Sequence, residues 1–135
     1  MKRTKFHDKK KRIRVSSAKA KGRDLQKWCC EQISKLTCIP WGKDCDVESR
    51  PMGQSGTDVR LSKRVLKLFP FSVECKRQEN WSVPSWIEQA RQNQLHHTDW
   101  LLVMRRSHKP PVIVMDGEAF FRLLEKVKKP CGDSS

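Results

Sequence analysis

Three charged residues in the middle of the chain have the types and the spacing of a metal-dependent hydrolytic site. Glu74 and Lys76 are two residues apart in the segment Phe-Ser-Val-Glu-Cys-Lys, and Asp58 lies in an earlier segment that also looks extended. Side chains at i and i+2 of a strand point to the same face, so Glu74 and Lys76 would project together. If the segment of Asp58 pairs beside this strand, two carboxylates and the carbonyl of Cys75 would form an oxygen-rich pocket.

Such a pocket suits Mg²⁺, a hard cation that takes one or two carboxylates and keeps several waters, and we expect Mn²⁺ to substitute for it. The metal would stabilise charge that develops on a phosphate and activate a bound water. Lys76 would position that water or neutralise the scissile phosphate. The alternative is an ordinary ion pair on a solvated strand face, which is the commoner origin of a Glu-x-Lys pair. The surrounding elements have to decide between the two.

The hydrophobic pattern places these residues among alternating helices and strands. Apolar residues at i, i+3, i+4 and i+7 predict a helix over residues 22–36. Alternation predicts a strand over residues 71–76, with Glu74 and Lys76 on one face. The other predictions are short extended segments at 44–50 and 57–61, a loop or helical turn at 62–68, a helix at 85–95, strands at 100–104 and 112–115, and a helix at 117–128. This order predicts an α/β fold in which helices flank a small mixed sheet.

The last predicted helix is amphipathic. Asp116 precedes it and can cap its first turn. Its apolar residues recur at helical spacing, and we expect all of them to face the core: Phe120, Leu123, Leu124 and Val127.

The 135-residue chain is strongly basic, with 29 Lys and Arg against 15 Asp and Glu and a net charge of +14. Residues 1–21 hold ten basic residues and one acidic residue and are predicted to be a flexible arm. Residues 22–128 would form the folded domain, and residues 129–135 a short tail. The charge favours a polyanionic partner, nucleic acid before an anionic membrane. The candidate phosphate contacts are Lys10, Lys11, Arg12, Arg14, Lys21, Arg23, Arg105 and Arg106.

Composition also argues against several classes of protein. No apolar run approaches the roughly 18 residues of a membrane span, and no apolar segment follows the basic N-terminus as in a secretory signal. We therefore expect a cytoplasmic protein without a membrane partner or a small-molecule cofactor. The six cysteines lack the extracellular context of a disulfide framework. Their spacing does not fit the usual pairs of a zinc site, so reduced thiols packed as small hydrophobes are the simplest prediction.

Together these pieces resemble the PD-(D/E)XK nuclease superfamily and, within it, Holliday-junction resolvases of the archaeal type and their phage-encoded relatives. The resemblance spans residues 21–124. It implies a restriction-endonuclease-like fold and a homodimeric, metal-dependent endonuclease that cuts branched DNA and leaves 5′-phosphate ends. The matching segments are Lys21-Gly22-Arg23 with Gln26, Arg50 with Ser55-Gly56-Thr57-Asp58, Phe71-Ser72-Val73-Glu74-Cys75-Lys76, and Trp86 with Gln89-Ala90.

The resemblance also suggests roles for four further residues. Family members often carry Glu in the first helix, where this chain has Gln26, which can hold a metal-bound water but adds no charge. Ser55 would bind the scissile phosphate, or would only hydrogen-bond within its own turn. Arg50 would clamp a phosphate, or would be a surface charge. Gln89 would reach the site, or would satisfy backbone groups at the sheet.

Three other functions remain open at the level of sequence. The same chemistry could serve another DNA nuclease, such as a nicking or end-processing enzyme. A basic nucleic-acid-binding protein with a degenerate site would bind without needing Mg²⁺. A zinc-stabilised accessory factor would contain stoichiometric zinc. In the resolvase interpretation, the protein would be associated with nucleoid or viral DNA.

Overall fold

The computed structural model describes the backbone of residues 2–51 and 54–128 and the side chains from residue 19 onward. Helices and strands follow one another along the chain in the predicted order, except that helix α2 lies between the second and third strands. Their bounds are α1 Lys2–Thr37, β1 Val47–Ser49, β2 Val59–Leu61, α2 Lys63–Leu68, β3 Phe71–Arg77, α3 Val83–Gln92, β4 Asp99–Arg105, β5 Val112–Met115 and α4 Gly117–Val127. None of the described helices has the length and apolar content that crossing a bilayer would take.

The central sheet has the strand order β3-β4-β5. Strands β3 and β4 are parallel, with Phe71 opposite Asp99 and Arg77 opposite Arg105, and β5 runs antiparallel to β4. A parallel pair needs a crossover connection, and α3 supplies it. Because β3 and β4 end at the same edge of the sheet, the loops that follow them are neighbours.

Helices cover both faces of this sheet. On one face, α1 contributes Leu25 and Ile33 to a core that includes Val73 of β3. On the other face, Trp86 of α3 packs with Leu102 of β4 in a second core. Burial on both faces explains why β4 is a continuous apolar run rather than an alternating one. The predicted α/β class, with a mixed sheet flanked by helices, is confirmed.

Strands β1 and β2 form a separate two-stranded antiparallel sheet, in which Glu48 lies opposite Arg60. The predicted single sheet is therefore wrong in this detail. The small sheet joins the central one through a single backbone bond at its entrance, where the Asp58 N–H donates to the Val73 carbonyl at 2.9 Å. Pairing stops there because the chain turns away into β2.

Two elements are longer or more regular than the sequence suggested. Residues 62–68, which fitted a loop or a helical turn, contain helix α2, and the Ser62 hydroxyl caps it by accepting from the Val65 N–H. Helix α1 begins at Lys2 rather than near residue 22. The side chains of residues 2–18 and the whole 129–135 tail lie outside the described residues, so the flexible arm stays a prediction.

The described cysteines differ in burial, with Cys75 half-buried between two extremes. Cys29 and Cys30 are buried in the core under α1, as expected of small hydrophobic side chains. Burial raises the pKa of the Cys30 thiol to about 12, so this thiol stays protonated. Cys38 and Cys45 are exposed, which corrects the prediction that all the thiols pack inside.

The prediction that the apolar side of α4 faces the core is wrong. Only Ala119 of this helix is buried, and Arg122 ties it to the domain through an ion pair with Asp99 at 2.9 Å. The amphipathic pattern correctly predicts a helix with one apolar side, but it cannot say whether the same chain covers that side. The residues left exposed are Phe120, Phe121, Leu123, Leu124 and Val127.

The two-sided core makes a stability prediction. Leu102 is fully buried between the sheet and α3, so we expect Leu102→Ala to lower the free energy of unfolding by about 2–5 kcal/mol. Leu68→Ala is the matched control because Leu68 is 59% exposed, and its effect should stay within about 0.5 kcal/mol. Urea unfolding followed by circular dichroism measures both, and equal losses would contradict the described core.

Candidate active site

Asp58 is held against the edge of β3 by two backbone contacts. Its N–H donates to the Val73 carbonyl at 2.9 Å, and its Oδ2 accepts from the Cys75 N–H at 2.7 Å. The carboxylate is therefore fixed beside the strand, although β2, which follows Asp58, pairs with β1 and not with β3 as predicted. Burial raises the pKa of Asp58, against the opposing effects of the Cys75 N–H, Lys76 and Arg50.

Glu74 lies on the face of β3 that α3 covers, and its exposed fraction is only 4%. The Asn93 side-chain amide donates to Glu74 Oε2 at 3.4 Å from the end of α3. Burial raises the pKa of Glu74, and the negative charge of Asp58 raises it further. Two carboxyl groups from separate segments thus lie near enough to repel each other in a poorly hydrated place.

Lys76 accompanies Glu74 on the same face of β3, as the alternation predicted. Its Nζ lies 3.7 Å from Glu74 Oε1. The ion pair between Glu74 and Lys76 is therefore present, as the alternative interpretation required. The strand face that carries it is not solvated, however, because α3 covers it. Burial separates this pair from an ordinary surface ion pair, whose contribution to stability is small.

The donor set fits a magnesium ion better than a softer metal. Asp58 and Glu74 supply hard oxygen ligands, and Mg²⁺ commonly takes one or two carboxylates and completes its shell with water. Among the described residues, no group of three or more His, Cys, Asp and Glu converges as a site that could replace those waters with protein ligands. The Cys75 thiol points to the opposite side, where its Sγ lies 3.6 Å from Cys29 Sγ, so only the Cys75 backbone can contribute.

Gln26 lies inside the interface between α1 and the rest of the domain. Its exposed fraction is 3%. It precedes Cys29 by about one helical turn, and Cys29 contacts Cys75 of β3. Gln26 therefore belongs to the layer between α1 and the strand that carries the carboxylates, where the resemblance predicts an auxiliary residue.

Arg50 is drawn into the loop that presents Asp58. Its Nε donates to the Thr57 carbonyl at 2.6 Å, and its N–H donates to the Asp58 carbonyl at 2.8 Å. Gly56 makes room for it: this residue has φ +100°, and a Cβ there would lie 3.4 Å from Arg50 Cζ. The structure thus brings Arg50 close to Asp58, whereas Ser55 is exposed in the same loop.

Helix α3 contributes one site residue that sequence reasoning missed. Gln89 is half-buried, and Asn93 follows it by four residues on the same side of the helix. Asn93, rather than Gln89, contacts Glu74. The i, i+4 spacing from Gln89 was the available signal, but the predicted helix ran on to residue 95 and gave Asn93 no special position.

The predicted phosphate contacts fall in three places. Lys21 and Arg23 are exposed on α1, Arg105 ends β4, and Arg106 begins the loop after it. This loop lies at the sheet edge where β3 also ends, one residue beyond Lys76. The arm residues lie outside the side chains that the structure describes: Lys10, Lys11, Arg12 and Arg14.

No protein-family model, no curated protein and no solved structure matches this chain. The resemblance to PD-(D/E)XK nucleases therefore depends on the residues themselves and on the arrangement of Asp58, Glu74 and Lys76.

The two carboxyl groups predict that Glu74→Gln stabilises the protein without metal but removes the stabilisation by Mg²⁺. Because the fold raises the pKa of Glu74, folding becomes less favourable as the pH rises through the range in which this carboxyl ionises. At pH 7.5 without divalent ions, Glu74→Gln should therefore raise the melting temperature. With Mg²⁺ at ten times its dissociation constant, the wild type should gain about 1.4 kcal/mol, or a few degrees.

The control for this melting experiment is Glu88→Gln, which changes an exposed carboxyl on α3. It should melt like the wild type and respond to Mg²⁺ equally. An equal Mg²⁺ response of wild type and Glu74→Gln would show that Glu74 does not bind the ion.

Proposed function

We propose that this protein is a metal-dependent endonuclease that cleaves branched DNA, most specifically a Holliday-junction resolvase of the PD-(D/E)XK type with a restriction-endonuclease-like fold. The observation that carries the proposal is the pair of carboxyl groups of half-buried Asp58 and buried Glu74, held at one strand edge with Lys76 beside them. A buried cluster of this kind is costly to fold without a cation, and perturbed carboxyl groups of this kind are common at catalytic sites.

Asp58 and Glu74 would hold Mg²⁺, with Mn²⁺ as a substitute, and Cys75 would offer its carbonyl. When bound, the ion supplies positive charge that stabilises a phosphate under attack and helps to activate water. Hydrolysis joins a water oxygen to phosphorus and breaks the bond to the 3′ oxygen, leaving a 5′ phosphate and a 3′ hydroxyl.

Four side chains of the protein have further roles in the proposed reaction. The Lys76 ammonium orients the attacking water or neutralises the scissile phosphate. Asn93 positions Glu74 by donating to its Oε2, and the guanidinium of Arg50 reaches a backbone phosphate beside Asp58. Gln26 supports the site from α1. The excess of positive charge draws DNA to this surface without reading base sequence.

Cleavage of a labelled four-way junction beside a matched linear duplex tests the proposal. Wild type with Mg²⁺ should make paired, symmetric nicks in the junction and leave the duplex intact, and EDTA should abolish cutting. Lys76→Ala should lower the cleavage rate by about a hundredfold or more while the dissociation constant for the junction, measured in EDTA, changes only a few-fold. The control Lys67→Ala removes an exposed lysine of α2 and should cut normally.

Each other outcome of the cleavage assay points to a different function. Equal cutting of junction and duplex would keep the nuclease and exclude junction specificity. Tight binding without Mg²⁺-dependent cutting would favour a non-catalytic nucleic-acid-binding protein. In a separate measurement, elemental analysis that found stoichiometric zinc would favour a zinc-stabilised accessory factor.

Symmetric nicking of a junction requires two active sites, and α4 offers a surface through which two copies can associate. The large apolar side chains of α4 are between 38% and 75% exposed. Their combined exposed area is on the order of 500 Å², a large part of the roughly 800 Å² that each partner buries in a standard interface. Helix α4 carries two acidic and two basic residues and so has no net charge. Two copies of this helix can therefore approach each other although the whole protein is basic.

Sedimentation velocity at micromolar concentration tests this interface. The wild type should sediment as a dimer, and Phe121→Asp should yield monomers because an unpaired charge would be buried in the interface. Leu68→Asp is the control, since Leu68 is as exposed but lies on α2, and it should remain a dimer. A wild-type monomer, or an equal effect of both variants, would contradict the α4 interface.

A further inference from the structure

Two loops meet at the edge of the central sheet where β3 and β4 end. Residues 78–82 connect β3 to α3, and residues 106–111 connect β4 to β5. Arg77, the last residue of β3, lies opposite Arg105, the last residue of β4. Because the strands are parallel, both loops leave the sheet on the same side, immediately beyond Lys76.

A hydrogen-bonded cluster fastens these two loops to each other. Arg77 donates to the Ser107 hydroxyl at 3.1 Å and to Glu79 Oε1 at 3.2 Å. Glu79 Oε1 also accepts from the Ser107 N–H at 2.8 Å. These hydrogen bonds, first those from Ser107 and then that from Arg77, lower the pKa of Glu79 to about 2. Glu79 is therefore engaged in joining the loops and is not an extra ligand beside Glu74.

The cluster supports an exposed tryptophan. Trp81 is 38% exposed, and its indole N–H donates to the Gln78 carbonyl at 3.0 Å. The Arg106 guanidinium, from the other loop, lies 5.9 Å from the centre of the indole ring. The internal hydrogen bond fixes the orientation of the ring and uses its only polar donor. What Trp81 offers to a ligand is thus a flat apolar surface beside a positive charge.

This pair lies beyond the end of β3, the strand that carries Glu74 and Lys76. Trp81 lies two residues before α3, the helix that covers the strand face bearing Glu74 and Lys76. Arg105, at the end of β4, and Lys109 add positive charge there, and the Arg105 Nε donates to the Lys109 carbonyl at 2.9 Å. An aromatic ring among cations is the usual combination for an unpaired nucleic-acid strand, because bases stack on the ring and phosphates meet the charges.

We infer that Trp81 and Arg106 form a binding site for an unpaired DNA segment beyond the end of β3, the strand that carries the proposed cleavage site. The indole stacks on one base, and the guanidinium holds the adjoining phosphate. The site rests on the proposed function for its ligand, DNA, and deepens it by naming the strand character that the protein recognises. Since the indole N–H is already used, stacking carries no base preference.

Equilibrium binding in EDTA tests this site without any cleavage. The probes are a labelled single strand, the same strand in a duplex, and the same strand as RNA. Trp81→Ala should weaken binding of the DNA single strand about tenfold or more, the usual loss of one stacked base. Duplex binding should change less than about twofold, and Trp81→Phe should restore most of the single-strand affinity. Thermal melting should show that each variant is folded.

The charge partner has a matched control in the same loop. Arg106→Gln and Lys109→Gln each remove one positive charge, and each should reduce the salt dependence of binding by about one phosphate contact. Only Arg106→Gln should weaken binding of the single strand more than binding of the duplex, because Arg106, unlike Lys109, lies beside the Trp81 ring.

Equal losses for single strand and duplex in Trp81→Ala, or no loss, would overturn the stacking site. Tighter binding of the RNA strand than of the DNA strand would overturn the choice of ligand. A failure of junction cleavage would be a separate result, since all these measurements are made without metal. The stacking site and the nuclease proposal can therefore fail independently.

Discussion

The hydrogen bond from the Cys75 N–H to Asp58 is the contact on which the candidate site depends. It ties the loop before β2 to the edge of β3 and fixes one carboxylate beside the strand that carries the other. Glu74 then has to be buried next to a like charge, and only Lys76 and the Asn93 amide offset that cost locally. A fold selected for stability alone would have little reason to keep this arrangement. A bound cation would offset this cost, because its positive charge attracts both carboxylates.

The rest of the molecule serves to hold this strand edge in place. Helix α1 packs on one face of the sheet through Leu25 and Ile33, and α3 packs on the other through Trp86. Burial on both faces makes β3 rigid, so its alternation sets where Glu74 and Lys76 point. The parallel pairing with β4 places the basic loop after β4 beside the end of β3, one residue beyond Lys76.

The sequence was informative where local periodicity decides the structure. Strand alternation correctly placed Glu74 and Lys76 on one face, and the neighbouring extended segment correctly placed Asp58 beside them. Contacts between distant segments were less accessible. Asn93 reaches Glu74 only because of how α3 packs on the sheet, and the i, i+4 spacing from Gln89 places Asn93 on one side of the helix without naming the strand residue that it contacts. The exposed side of α4 was missed for a related reason, since a helical moment reports an apolar side but not which chain covers it.

Titration with Mn²⁺ followed by electron paramagnetic resonance detects a metal ion at the edge of β3 without DNA or turnover. We expect saturable Mn²⁺ binding to the wild type that Mg²⁺ displaces. Asp58→Asn and Glu74→Gln should each abolish that binding, while Glu88→Gln should retain it. Mn²⁺ binding that is unchanged in Asp58→Asn and Glu74→Gln, or absent from the wild type, would contradict a metal centre at the edge of β3.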